Sequence, residues 1–267
     1  MNGVSQVQVH KSTIYLVRHG ESAANVAQIN LKPEDDVLTE KGRTQADLLG
    51  KHLKDVVFTK AFASTYSRSQ DTANFILTNS NMTVKPELKI DARIRERELG
   101  DFVGKPASDA FMALFAAVKQ GTPLLKFEIP GAETTQEFDG RIETFVDDLF
   151  DELRQSTQPE TVLIVSHGLT ILRLLARLRE PSKGLELQSW CFNSASTPMK
   201  NTSYHLFTVQ VPSRECENEK ICLDFLKYNQ RSHLEPLGES NVDHGESLAS
   251  AFTKLKQVDA SSNCAMQ

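Results

Sequence analysis

Two histidines stand where chemistry can be done. His19 follows Arg18 and precedes Gly20 at the end of the apolar run Thr13-Ile14-Tyr15-Leu16-Val17, and His167 precedes Gly168 at the end of Val162-Leu163-Ile164-Val165-Ser166. Each run reads as a buried strand, so each delivers an imidazole to its C-terminal tip. A neutral imidazole nitrogen is a nucleophile toward phosphorus. A guanidinium beside it can hold two phosphoryl oxygens and offset the charge that otherwise repels attack. Arg18 is that neighbour, and Asn25, a few residues on, can donate to another phosphoryl oxygen. Arg68, at the start of a helix after the next strand, belongs to the same edge of a parallel sheet, where free backbone N–H groups also favour an anion. Alone, an Arg-His pair is ordinarily a solvated loop or a structural histidine, and Arg68 an ordinary surface arginine. The repeated strand-His-Gly arrangement is what gives them a joint reading. His10, His52, His205, His233 and His244 have no comparable context and are read as exposed or structural.

A leaving oxygen needs a proton, which a carboxylic acid can supply. The densest charged cluster is Arg93-Ile94-Arg95-Glu96-Arg97-Glu98-Leu99-Gly100-Asp101; spacing alone leaves both Glu96 and Glu98 open, and a solvated loop is the plainer alternative.

The elements that must position these groups alternate. Gly42 to Leu53 has helical periodicity, with Thr39 as N-cap before Glu40. A short strand through Lys60–Ala63 leads to Ser67, expected to cap a helix carrying Arg68, Ala73, Ile76 and Leu77. Met82-Thr83-Val84 reads as another strand, stopped by Pro86. Between residues 104 and 157 no strand is evident: Ala107–Val118 and Glu133–Leu153 read as helices of an inserted cap or flank. Leu169–Leu178 continues from His167-Gly168 as an apolar helix, and Tyr204–Val211 and Ile221–Phe225 supply later strands. This order predicts an α/β fold, a three-layer α/β/α sandwich with a mostly parallel central sheet and an inserted helical cap. Residues 1–239 then form one domain with the cap at about 104–157, followed by a polar tail, 240–267, with a weak helical pattern around Leu248–Leu255.

Composition narrows the partners. Thirty Lys and Arg against thirty-five Asp and Glu give a net charge of -5 with no long basic block, which disfavours nucleic acid and anionic membranes. Any anion site is therefore local. Cys191, Cys216, Cys222 and Cys264 form no CxxC pair, reading as reduced thiols of an intracellular protein and not as a disulfide framework or zinc site. The first residues lack an apolar signal region and no stretch is long enough to span a membrane, so a cytoplasmic location is expected.

The motifs together resemble the histidine phosphatase superfamily, in the branch that holds cofactor-dependent phosphoglycerate mutases and fructose-2,6-bisphosphatases. Leu16-Val17-Arg18-His19-Gly20-Glu21-Ser22 with Asn25 is similar to that family's RHG motif. Leu38-Thr39-Glu40-Lys41-Gly42 with Gln45-Ala46, Ser64 through Arg68 to Thr72-Ala73, Arg95-Glu96-Arg97-Glu98-Leu99-Gly100, and Val165-Ser166-His167-Gly168 follow in family order. The resemblance covers about residues 13 to 210 and is nearest to the fructose-2,6-bisphosphatase type. It implies His19 as the phosphorylated residue, Glu96 as the acid, and His167 as a catalytic partner. Arg18, Asn25, Arg68, His167 and Gly168 would form the phosphate pocket, with Ser22 and Arg97 as further substrate contacts. No metal and no cofactor is implied. The implied reaction is hydrolysis of a phosphomonoester through phosphohistidine, on a small phosphorylated metabolite such as fructose 2,6-bisphosphate. Bisphosphoglycerate phosphatase, phosphoglycerate mutase, phosphoprotein phosphatase and a non-enzymatic metabolite-sensing or partner-binding protein are the alternatives. The departures lie where substrates are chosen: Val26 to Asp36 lacks the usual glycine-containing segment, Leu99 replaces a tyrosine, and Ser194 to Ser203 lacks the Asn-Thr-Gly order.

Overall fold

The computed structural model describes residues 10–123, 126–178, 185–189, 199–212 and 220–239. The tail from Ser240, the loop Ser194–Pro198, and Cys191, Cys216 and Cys264 lie outside them. The elements run β1 (Lys11–Arg18), α1 (Ala23–Ala27), α2 (Glu40–His52), β2 (Lys60–Ala63), α3 (Ser67–Asn79), β3 (Leu88–Ile90), α4 (Ala107–Lys119), α5 (Thr135–Gln155), β4 (Thr161–Ser166), α6 (Gly168–Leu178), β5 (Leu185–Ser189), β6 (Tyr204–Gln210) and β7 (Ile221–Gln230). The strands form one seven-stranded sheet in the order β3-β2-β4-β1-β6-β7-β5. Its first four strands are mutually parallel; β6 runs antiparallel to both β1 and β7, and β5 is parallel to β7.

Alternation along the buried strands sends side chains to two separate cores. Ile14, Leu16, Val162 and Ile164 meet Phe145, Leu149 and Phe150 of α5 and Ile171, Leu174 and Leu175 of α6 on one face. Val17, Ala61, Ala63, Leu163 and Val165 meet Leu49 of α2 and Ala73, Ile76 and Leu77 of α3 on the other. Each large side chain so buried contributes roughly 1.5–3 kcal/mol. This is the three-layer α/β/α sandwich that the element order predicts.

Most helix boundaries follow local chemistry. Thr39 caps α2 by accepting from Gly42 N–H (3.0 Å), and Thr134 and Glu137 close a reciprocal capping box at α5. Other expectations require correction. Ser67 is the first residue of α3, with Tyr66 at the cap position, because Ser64 Oγ takes the Tyr66 N–H (3.3 Å) and turns the chain earlier. Met82–Val84 is no strand: Val84 is 80% exposed, and the residues that pair with β2 are Leu88–Ile90, beyond Pro86. β7 runs on to Gln230 because its bulged pairing with β6 continues through polar residues, and β5 was not anticipated. Within 104–157, α5 is a flanking layer of the sandwich, whereas α4 carries no buried residue. Among the described residues no helix is long and apolar enough to cross a membrane.

Two buried histidines, His205 within β6 and His233 in the turn Ser232–Leu237, are structural. His205 is 1% exposed, its Nδ1 accepts from Asn229 N–H (3.3 Å), and burial pushes its pKa down to about 3. His233 bonds Thr202 Oγ1 through Nε2 (3.0 Å); burial, then His52 and Arg231, push it down to about 3 as well. The unfolded chain protonates such groups near pH 6.5, so each withdraws about 1.4 kcal/mol of stability per pH unit as pH falls from there toward the folded value. His233→Gln, which keeps a donor for Thr202 but does not titrate, is expected to flatten the acid limb by about that amount. Urea unfolding at several pH values between about 4 and 6 checks this, and an unaltered slope contradicts it.

Candidate active site

The site grows from the register of two parallel strands. Arg18 of β1 pairs with Ser166 of β4, so the next residues, His19 and His167, leave the sheet side by side with ring centroids 5.0 Å apart. The tips are tied together: His19 N–H donates to the Ser166 carbonyl (3.0 Å), Thr202 N–H to the Arg18 and His19 carbonyls (3.1 and 3.2 Å), and Asn201 Nδ2 to the His19 carbonyl (3.2 Å).

His19 is 4% exposed, and its Nδ1 donates to the Gly20 carbonyl (2.7 Å), which leaves Nε2 unprotonated. Arg68 Nε points at that Nε2 from 3.4 Å. Burial, then Arg68 and Arg18, hold the imidazole well below its ordinary pKa; the Gly20 bond opposes them only in part. A neutral ring with a free Nε2 is the form required of a nucleophile.

His167 is fully buried, and burial followed by His19, Arg68 and Arg18 keeps it neutral too. Ser64 Oγ accepts from Tyr66 N–H and shares a hydrogen bond with His167 Nε2 (2.6 Å), whose direction the ring tautomer sets. The other ring nitrogen, Nδ1, is buried without a protein partner. Tyr66 packs edge-on against His167 (5.1 Å) and lies under the Arg68 guanidinium (4.8 Å).

Arg68 is 6% exposed and pairs through Nη1 with Asp36 (3.3 Å). Arg18 donates from Nη1 to the Met199 carbonyl and keeps a buried Nε without a partner. Burial lowers the pKa of both arginines, opposed by Asp36 and Glu96, so two cations with unspent donors face one place. Asn25 Oδ1 accepts from Ser22 N–H (3.2 Å) and Asn201 Nδ2 (3.0 Å), which turns its amide nitrogen into the remaining donor. Gly168 opens α6 beside the Arg18 guanidinium, where a Cβ would make ordinary contact at 3.8 Å.

Of the two glutamates, Glu96 is the one placed by the fold. Its Oε1 accepts from the N–H groups of Arg97 (3.0 Å) and Thr170 (3.1 Å) and from Thr170 Oγ1 (3.1 Å), and its Oε2 from Leu169 N–H (3.2 Å). The carboxylate therefore sits on the N-terminus of α6, one turn past His167. Glu98, which also lines the cleft, is held differently: its carboxylate pairs with Arg95 (2.9 Å) and accepts from Glu133 N–H (3.0 Å).

Of these groups Arg18, His19, Asn25, Arg68 and Glu96, joined by Arg97, line a cleft of about 470 Å³; His167, fully buried beside His19, and Gly168 do not line it. Its outer wall is apolar, with Ile29, Leu31, Leu99 and Val103. Arg97 reaches it while donating to the Phe127 carbonyl (2.6 Å) and keeping a buried Nε unpartnered. Ser22 does not line the cleft: it is fully buried at the start of α1, bridged to Leu38, so the expected substrate contact is corrected to a structural position. Sequence reasoning missed Ser64, Tyr66, Asp36, Asn201 and Thr170. Only Ser64 and Tyr66, flanking the loop to Arg68, carried a positional signal. Among the described residues no three His, Cys, Asp or Glu side chains are grouped to hold a metal ion.

The sequence model of the histidine phosphatase superfamily (branch 1) matches residues 14–206. The chain belongs to that superfamily. Within the histidine phosphatases it is 34% identical to fructose-2,6-bisphosphatase TIGAR of Xenopus tropicalis over 132 residues, 49% of this chain and 46% of that one. It is 26% identical to TIGAR B of Danio rerio over 254 residues, covering 85% and 97%. The chain thus spans about half the length of its Xenopus relatives. Among solved structures, phosphoglycerate mutase of Bacillus anthracis superposes with a TM-score of 0.65 at 26% identity, over 88% of this chain and all of that one.

The histidine-bearing turn is held by a close approach that sequence spacing alone does not explain. Gly42, in the first turn of α2, lies against the backbone of Glu21, and a Cβ there would meet the Glu21 carbonyl oxygen at 2.0 Å. Gly42→Ala is expected to cost about 1–3 kcal/mol by overpacking and to displace the turn after His19. Gly140→Ala, on the open face of α5 with nothing within 4 Å, serves as the control and should gain about 0.5–1 kcal/mol. Denaturant midpoints of the two variants test the contrast; equal midpoints contradict it.

Proposed function

We propose that the chain is a phosphomonoesterase that works through phosphohistidine at His19, acting on a small phosphorylated metabolite for which fructose 2,6-bisphosphate is the leading candidate. One observation carries the reading: a neutral, buried His19 whose unprotonated Nε2 accepts only a long bond from Arg68, beside a His167 ring whose Nδ1 has no protein partner. In the first step Nε2 attacks phosphorus as the P–O ester bond breaks, and the acid form of Glu96 gives its proton to the departing alkoxide. Arg18, Arg68, Asn25 and His167 take the charge spread over the equatorial oxygens. In the second step water attacks the phosphorus of phosphohistidine, Glu96 carboxylate accepts its proton, and phosphate leaves as the N–P bond opens.

The cleft volume suits a small ligand. The TIGAR proteins of Xenopus and Danio support fructose 2,6-bisphosphate, and Arg97 offers a third cation for a second phosphate. A bisphosphorylated glycerate fits the same groups. Wild type and His19→Ala assayed for phosphate release from fructose 2,6-bisphosphate, fructose 1,6-bisphosphate, bisphosphoglycerate and a phosphotyrosine peptide are expected to differ by roughly 1,000-fold or more on the preferred substrate. An acid-labile phosphoenzyme should form in wild type alone. Equal activity of the two proteins overturns the mechanism, and efficient isomerisation of 3-phosphoglycerate with little phosphate release assigns a mutase instead.

A further inference from the structure

The segment that carries Glu96 is irregular, running from a 3-10 turn at Ala92–Ile94 into extended chain. Its carbonyls have no strand partner, yet four in succession are captured by side chains from elsewhere in the fold. Arg141 Nη1 of α5 takes the Arg93 and Arg95 carbonyls (2.5 and 2.9 Å), and its Nη2 takes the Glu96 carbonyl (3.2 Å). Ser166 Oγ of β4 takes that of Ile94 (2.8 Å), and Thr170 Oγ1 of α6 also reaches that of Arg95 (2.7 Å). Arg141 is thereby the one side chain that spans the segment from Arg93 to Glu96.

Arg141 is itself fixed. Its Nε and Nη2 make a two-pronged pair with Glu133 (2.8 and 2.7 Å), and its guanidinium lies over the Phe138 ring (4.7 Å). The Glu133 carboxylate, 6% exposed, also accepts from Glu98 N–H (3.2 Å), while Glu133 N–H donates to Glu98 Oε2 (3.0 Å). Burial raises the Glu133 carboxyl most, but Arg141, the Glu98 N–H and Arg95 together outweigh it and hold its pKa below the ordinary value. A planar fork matched to a carboxylate on one edge and to backbone carbonyls on the other is a task for arginine and not for lysine. Neither Glu133 nor Arg141 lines the cleft.

We infer that Arg141, oriented by Glu133, is a positioning residue for the proton-transfer step: it holds the backbone of Arg93–Glu96 so that the Glu96 carboxyl stands over the departing oxygen. The inference rests on the phosphohistidine reading of the site. It implies a selective defect. Esters whose leaving group departs without a proton do not need Glu96 in the first step, whereas alkyl esters do.

The test uses Arg141→Lys, which keeps the charge opposite Glu133 but loses the fork, and Glu133→Gln, which keeps a partner for Arg141 but loses its charge. The rate of His19 phosphorylation in a single turnover is measured with p-nitrophenyl phosphate and with an alkyl phosphate, beside amide hydrogen exchange of the whole chain. Arg141→Lys should slow the alkyl ester by about 100-fold and p-nitrophenyl phosphate by less than about 3-fold, with Glu133→Gln in the same direction. Exchange should rise over residues 93–97 and stay unchanged in β1 and β4. Equal loss with both esters assigns a merely structural role and overturns the inference, as does no loss with either. If wild type forms no phosphohistidine, the functional reading fails; the positioning claim is then decided by exchange, and unchanged protection at residues 93–97 overturns it.

Discussion

The parallel pairing of β1 with β4 is the constraint from which the rest of the site follows. Because Arg18 stands opposite Ser166, the two chains end their ladder at the same level, and their next residues are both histidines. A shift by one residue would exchange the faces of every side chain on the strand and bury Tyr15 or Val17 where Leu16 now sits. The hydrophobic alternation that fills two cores therefore also fixes the spacing of two imidazoles. The packing of Ile14, Leu16, Val162 and Ile164 against α5 and α6 is as much a part of the chemistry as the rings are.

The second consequence is electrostatic. Arg18 and Arg68 converge on a place where two histidines are already buried, and four cations there would be prohibitive. The fold resolves this by leaving both rings neutral and by offsetting the arginines with Asp36 and Glu96. The arrangement that keeps His19 unprotonated leaves a lone pair on its Nε2. What remains is a set of buried polar atoms without protein partners, Arg18 Nε and His167 Nδ1 among them. Buried donors left unpaired are costly, by about 1–3 kcal/mol each, and an anion at the cleft floor relieves that cost.

How much of this was legible in the sequence depended on the kind of constraint. Periodic burial announced β1, β2, β4, α2, α3 and α6, and the strand-His-Gly repeat announced both rings, because these are local patterns with a physical period. Spacing left Glu96 and Glu98 equivalent; family resemblance pointed to Glu96, and the N–H groups of Leu169 and Thr170 give the physical reason. Asp36 and Asn201 were not legible, since each acts on a partner more than 30 or 170 residues away in a loop of unremarkable composition. Met82–Val84 misled because β-branched content marks strand propensity but not a partner, and the partner edge of β2 was taken by Leu88–Ile90. Ser22 misled through its place beside the RHG motif, although the turn after His19 carries its side chain away from the cleft.

His19 and Glu96 come from distant parts of the chain, yet both are tied to one junction. Where β4 passes into α6, Ser166 captures the carbonyl of Ile94, His167 faces His19, and the next amides hold the Glu96 carboxylate. A displacement of that junction would move His167 and the Glu96 carboxylate together, preserving the distance between them. The start of α6, whose apolar face is buried against α5 and the sheet, thus holds the Glu96 carboxylate from one side while Arg141 holds the backbone of the irregular segment that bears it from the other.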